Sequence, residues 1–180
     1  MSTLTIFSDI DPQTILSKSE DPVAIHAELA SVGVRFERWT ASVEVTPEMS
    51  QDEVIEAYKA DIDRLKNEDG YQTVDVVSMY PDHPDRVAFR EKFLSEHRHT
   101  EDEVRFFVAG EGLFCLHLEG KVYQVLCTRD DLISVPAQTP HWFDMGSAPS
   151  FTAIRLFNNT EGWVAHSTGS EIATRYPLLP

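Results

Sequence analysis

Before Glu103 the apolar residues fall into a mixture of helical and extended patterns, and after it into short extended runs set closely along the chain. Leu4-Thr5-Ile6-Phe7 reads as a strand, and Asp21 to Ala30 as an amphipathic helix ending near Gly33. Val34 to Trp39 is a further extended piece. Ser50-Gln51-Asp52-Glu53 has the form of a capping box, in which the hydroxyl and the carboxylate each accept from the other residue's backbone N–H. Val54, Tyr58, Ile62 and Leu65 then recur on one face, which predicts a single helix running until Asp69-Gly70 breaks it. Val74 to Tyr80 reads as a strand, and Pro84 to Phe93 as a short helix.

The later runs are Val104 to Val108, Leu113 to Leu118, Val122 to Cys127, Leu132 to Val135 and Phe151 to Phe157. Gly110-Glu111-Gly112 and Glu119-Gly120-Lys121 stand where tight hairpin turns would join them, because glycine takes positive φ without steric cost. Antiparallel strands in this succession predict a mainly β fold with α elements, a jelly-roll barrel with N-terminal helices. The length of 180 residues suits a single domain, 1–180, with a helix-rich part, 1–95, packing on a barrel core of about 74–160. The end from Ser167 to Pro180 is expected to be a loosely packed tail.

Composition narrows the classes of function. Thirty acidic against 15 basic residues give a formal charge of −15, which repels phosphate backbones and anionic lipid, so neither nucleic acid nor a membrane is an expected partner. The same charge favours a monomer. No run approaches the roughly 20 apolar residues of a membrane helix, and the N-terminus lacks a basic region followed by an apolar one. Cys115 and Cys127 lie in apolar runs and read as buried, reduced thiols, which fits a cytoplasmic location.

Candidate chemistry gathers where the two textures meet. Side chains alternate faces in an extended segment, so His97 and His99 point the same way, and the even spacing to Glu103 and Arg105 keeps all four on one face if pairing continues. Burying these groups is costly unless they find partners, and a divalent cation satisfies imidazole nitrogens and a carboxylate together. The plainer reading is a solvated polar turn, His97-Arg98-His99, followed by a charged surface run. His141 shifts the balance, because it is the one imidazole in the otherwise apolar stretch around Pro140 and Trp142. His26, His83, His117 and His166 have no partners at ligand spacing and read as structural or surface groups.

Together these residues resemble the two motifs of the cupin family. His97, His99, Glu103 and Gly110 match the first motif's spacing throughout; Pro136 and His141 match the second, where Gln138 and Met145 replace its Gly and Asn. Those replacements are expected to weaken the turn and to leave the ligands intact. The resemblance implies a cupin-type double-stranded β-barrel holding one metal ion with His97, His99, Glu103 and His141. Such a set leaves two neighbouring positions open on an octahedral ion, unlike a closed structural zinc site.

The segments Glu96 to Phe106 and Val135 to Gly146, with the helix-rich first half and the length, resemble the acireductone dioxygenases more closely than cupins in general. That resemblance implies Fe(II) or Ni(II), one per chain, and O2-dependent cleavage of 1,2-dihydroxy-3-oxo-5-(methylthio)pent-1-ene in methionine salvage. The iron form would give 4-methylthio-2-oxobutanoate and formate; the nickel form would give 3-(methylthio)propanoate, formate and carbon monoxide. Arg105 would be the catalytic cation that favours a substrate dianion, or else a partner of Glu103. Arg155 would be a second anion contact or would hold a ligand in place. Phe93, Phe106, Phe143 and Trp163 would shape an apolar pocket for the methylthio group, or simply fill core. Glu96 and Asp102 flank ligands and would orient them, unless they are solvated carboxylates. A cupin isomerase or epimerase and a non-catalytic ligand-binding cupin remain the competing classes.

Overall fold

The chain opens with strands β1 (Thr3–Ser8) and β2 (Ile15–Ser19), helix α1 (Pro22–Ser31) and strand β3 (Arg35–Arg38). The structure, a computed structural model, describes residues 1–180 apart from the side chain of Thr160. Asp21 starts α1 by accepting from the Val23 N–H, with Pro22 at the first helical position where its missing N–H costs nothing. Ile25 and Leu29 are the buried side of this helix.

Ser50 and Glu53 form the reciprocal capping pair, at 3.3 and 2.8 Å. The single helix predicted beyond them is instead two, α2 (Gln51–Ala57) and α3 (Lys59–Asp69). The Ala57 carbonyl accepts from the Ser42 N–H at 2.8 Å rather than from the next helical turn, and Tyr58, at φ −113°, turns edge-on to Phe106. Burial of Val54, Tyr58, Ile62 and Leu65 on one side survives the break. Gly70 then ends α3 in the left-handed conformation.

Strand β4 (Thr73–Met79), helix α4 (Arg86–Leu94) and the short β5 (His97–Arg98) lead into β6 (Glu103–Leu118), the longest strand. After it come β7 (Lys121–Thr128), β8 (Asp131–Val135), β9 (His141–Asp144), β10 (Phe151–Phe157) and β11 (His166–Ser167). The strands form two antiparallel layers that share β6. One runs β11-β5-β9-β6-β7-β1-β2; in the other β4, β10, β6, β8 and β3 are neighbours in that order. The fold is mainly β, a cupin-type barrel with helices, and its N-terminal part supplies four strands as well as helices.

Gly110-Glu111-Gly112 is not a hairpin turn. It is the bend at which continuous β6 leaves one layer, paired with β8 and β10, for the other, paired with β7 and β9. The register slips there: Ala153 faces Phe107 and Thr152 faces Ala109, so β6 carries one extra residue. The slip reverses the alternation of faces. Phe107 lies in the barrel core before it, and Phe114 and Leu116 after it. Gly110, at φ +74°, is needed because a Cβ there would sit 1.8 Å from the Ser150 carbonyl oxygen. Glu119-Gly120 is the two-residue turn expected, with both residues at positive φ.

The C-terminal segment is packed, contrary to expectation. Ile172, Ala173 and Tyr176 are buried against Phe7, Cys115 and Trp142, and Gln124 Nε2 donates to the Pro177 carbonyl at 2.9 Å. The apolar face of a single short turn (Ile172–Arg175) is too brief to show as a period. Cys115 and Cys127 are both buried and unpaired. Among the described residues no helix is long and apolar enough to cross a membrane.

Gly110→Ala is expected to destabilise the fold by about 3 kcal/mol or more, because backbone must shift to relieve the overlap. Gly33→Ala, at φ +79° with nothing within 4 Å of the added carbon, is the control for conformational cost alone, about 1–2 kcal/mol. Equal losses in denaturant titrations of the two variants would contradict the close-approach account.

Candidate metal centre

Alternation holds within each half of the first motif, but strand pairing does not continue across it: bends at Thr100 and Glu101 separate β5 from β6. His97 leads from β5, and Glu103 and Arg105 project from the barrel-facing side of β6. His141 arrives from β9, which pairs on one side with β5 at His97 and on the other with β6 at Leu116. The bend in β6 thus lets its start carry Glu103 while its end holds the strand bearing His141.

His97, His99, Glu103 and His141 form one buried cluster whose candidate ligand atoms all lie within 4.8 Å of one another. Their residues are 4%, 4%, 5% and 1% exposed. Glu103 Oε2 stands 3.1 Å from His99 Nε2 and 2.9 Å from His141 Nε2. Two donors each about 2.1 Å from a shared ion and at right angles to each other would stand about 3 Å apart, so the spacing fits a divalent metal. The third imidazole completes the set, with its ring centre 4.5 Å from that of His141 and 5.1 Å from that of His99.

Each imidazole has its other nitrogen engaged. Nδ1 of His97 donates to the Ser95 carbonyl at 2.7 Å, that of His99 to Val164 at 3.1 Å and that of His141 to Thr139 at 2.7 Å. These bonds leave Nε2 as the nitrogen that faces the cluster, open to a cation once the protons that His99 and His141 share with Glu103 are displaced. Burial, helped by the charge of His141, pushes the His97 pKa down to about 4, which keeps it a neutral ligand. Burial also works against charge on His99, but the hydrogen bond and charge of Glu103 outweigh it and raise its pKa. Burial opposes ionisation of Glu103 as well; Arg105 and the hydrogen bonds from His141 and His99 overcome it and hold the carboxyl well below its usual range.

Arg105 Nη2 donates to Glu103 Oε1 at 2.8 Å. Burial lowers the Arg105 pKa and Glu103 raises it; a guanidinium stays charged under such a balance. Its cation lies 4.8 Å from the centre of the Phe143 ring, 5.4 Å from Phe114 and 5.8 Å from Trp163. Arg105 Nε and Trp163 Nε1 are buried donors with no hydrogen-bond partner among the described residues.

The other candidates divide. Phe93, Phe143 and Trp163 are near the cluster: the Phe93 ring is 6.5 Å from His97, and the Trp163 ring 6.2 Å from His99. Phe106 is not. It lies on the opposite face of β6 from Arg105, fully buried against Trp39 and Tyr58, because neighbouring strand residues cannot share a face. Arg155 faces Arg105 across the β6–β10 ladder and is held by two hydrogen bonds to Asp75, with Trp163 stacked 4.9 Å from its cation. Glu96 is buried and bonds to His117 and Thr168 rather than to a ligand side chain. Asp102 accepts from the Ala137 N–H at 2.8 Å and so ties the first motif to the second.

The turn of the second motif keeps its shape despite the replacements. Gln138 takes the left-handed conformation, φ +64°, and donates its N–H to the His99 carbonyl at 2.9 Å. Met145 is buried in the barrel core. Three residues were missed as partners. Asp75 is a charge inside an apolar strand run, a visible signal. His117 bridges Glu96 and Asp9, and Asp144, fully buried, accepts from Arg90, Gly146 N–H and Leu179 N–H. Their partners are distant in sequence, so spacing could not reveal them.

A cupin-type barrel that turns three imidazoles and a carboxylate inward defines a metal-binding cupin. The chain belongs to the ARD/ARD' family, whose model matches residues 3–165. An acireductone dioxygenase of Alcanivorax borkumensis is 61% identical over 178 residues, 99% of this chain and 98% of that protein. One of Yersinia pseudotuberculosis is 61% identical over 179 residues, 99% of each chain. Among solved structures, an acireductone dioxygenase from Bacillus anthracis with a cadmium ion in its active centre superposes with a TM-score of 0.79 at 29% identity, covering 92% of this chain and 97% of that one.

The purified chain is expected to bind about one divalent ion, and His141→Ala to weaken binding by more than about 100-fold; calorimetric titration reads both. Gln138→Gly is expected to stabilise the fold by about 1 kcal/mol by removing the left-handed penalty, with metal affinity unchanged. A destabilised Gly variant in thermal unfolding would show that the Gln138 side chain contributes more than its backbone costs.

Proposed function

We propose that this chain is an acireductone dioxygenase that cleaves 1,2-dihydroxy-3-oxo-5-(methylthio)pent-1-ene with O2. The observation that carries the reading is the buried pairing of Arg105 with Glu103 inside a complete three-imidazole, one-carboxylate set. Fe(II) or Ni(II), one per chain, would be held by His97, His99, Glu103 and His141, and would supply Lewis acidity toward the paired oxygens of an enediolate.

The protein's own groups prepare the substrate. Arg105 and Glu103 nearly offset each other's charge, so a divalent ion leaves the pocket with about two positive charges, matched to a doubly deprotonated enediol. The free donors, Arg105 Nε and Trp163 Nε1, are suited to substrate oxygens, since a buried donor without a partner costs free energy until one arrives. Phe93 and Phe143 offer the methylthio group polarizable walls. Arg155, clasped by Asp75, orients Trp163 from behind rather than meeting the substrate. Glu96 and Asp102 fix the backbone around the ligands.

The iron form is expected to give 4-methylthio-2-oxobutanoate and formate, and the nickel form 3-(methylthio)propanoate, formate and carbon monoxide. The charge of −15 and the two unpaired buried thiols support a monomer working in the cytoplasm.

The test is substrate loss with oxygen uptake after anaerobic loading with Fe(II) or Ni(II). Both forms should release formate, and only the nickel form carbon monoxide. Turnover without oxygen uptake would move the assignment to a cupin isomerase. Arg105→Lys should lower kcat/KM by about 100-fold while metal stays bound, because a point charge cannot reproduce the planar donor fork. A variant with unchanged kcat/KM would remove Arg105 from the substrate site.

A further inference from the structure

The metal donors are nearly sealed from solvent, so a substrate needs an opening, and α4 is a cover that contributes no fully buried side chain. This helix carries the chain from β4, which pairs with β10, to β5 in the other layer, and it packs on β9. None of its residues is fully buried; Val87 is 59% exposed and Phe89 36%. Its polar clasp is Arg90, which donates to the buried Asp144 at 2.8 and 3.2 Å and to the Leu179 carbonyl at 2.9 Å. An element with few buried contacts opens at less cost than the strands it covers.

A continuous series of rings follows this helix from the surface to a metal ligand. Tyr80 is 52% exposed and lies 5.0 Å from His83. His83 is 5.9 Å from Phe89, Phe89 is stacked 6.4 Å from Phe93 at 12° between planes, and Phe93 is 6.5 Å from His97. Tyr80 and Phe89 are also the aromatic members among the exposed large apolar side chains of the described residues. Exposed rings carry a cost in water that contact with an apolar ligand offsets.

We infer that the seam under α4 admits the substrate and that Phe89, with Phe93 behind it, reads the apolar tail. A short thioether or alkyl chain lies against the paired rings while the oxygen-bearing head reaches the ligand cluster. The inference rests on the dioxygenase reading above, and extends it to Phe89 as a residue that sets specificity.

Kinetics of Phe89→Ala and Phe89→Leu on the methylthio substrate, and on an enediol with its tail cut to one methyl group, test it. Phe89→Ala should raise KM for the tailed substrate about tenfold with little change in kcat, Phe89→Leu should recover part of this, and KM for the truncated substrate should stay constant. Equal shifts on both substrates, or an unchanged KM on the tailed one, overturn the inference. A wild-type protein that turns over neither substrate overturns the dioxygenase reading instead. Release of bound metal to a chelator, which needs no turnover, then decides the seam: Phe89→Ala should speed it severalfold, and an unchanged rate overturns the seam as well.

Discussion

Everything at the centre of this molecule depends on one buried carboxylate. Glu103 is 5% exposed, and an isolated carboxylate so placed would cost several kcal/mol. It is tolerated because Arg105 takes one oxygen while His99 and His141 approach the other. The dependence is mutual. Arg105 is itself buried, with aromatic rings around its cation, and its charge is supportable there only beside Glu103. Two opposed charges and three imidazoles thus form a unit that none of its members could occupy alone.

Bringing that unit together is a problem of strand parity. A side chain faces the barrel at every second residue of a strand, and β6 must face inward at Glu103 and Arg105 and again at Phe114 and Leu116, an odd step from the first set. One extra residue near Val108 and the close approach at Gly110 resolve the conflict. The same bend moves the strand from one layer to the other, so its far end can hold β9 and hence His141. The metal ligands and the layered fold are therefore two consequences of one irregularity.

That irregularity also marks where the sequence is readable and where it is not. The ligand set was legible because His97, His99, Glu103 and Arg105 lie close along the chain at even spacing, and His141 is a polar residue in an apolar stretch. Most strands and helix starts were legible for the same local reasons. Gly110-Glu111-Gly112 was misread because a bulge in a long strand and a hairpin turn need the same residue types; only the neighbour across the gap, Ser150, distinguishes them. Phe106 takes the core alternative; aromatic character says nothing about face, although its odd distance from Glu103 did. The Arg155–Asp75 and Arg90–Asp144 pairs join residues far apart in sequence, and no period carries such information.

The second motif shows how a site can keep its geometry without its usual residue. Gln138 holds a conformation in which glycine would be unstrained, at a cost of about 1–2 kcal/mol. The surrounding turn over-determines it: Gln138 N–H donates to His99, Ala137 N–H to Asp102, Thr139 N–H to Pro136, and His141 Nδ1 to the Thr139 carbonyl. Two of these bonds run to the first motif, one to the carbonyl of a ligand and one to a residue beside another. Letting Gln138 relax would break contacts that place His99 and His141 relative to each other, with buried polar groups left unpaired on both sides. The strain persists because the two halves of the metal site are stitched through the residue that bears it.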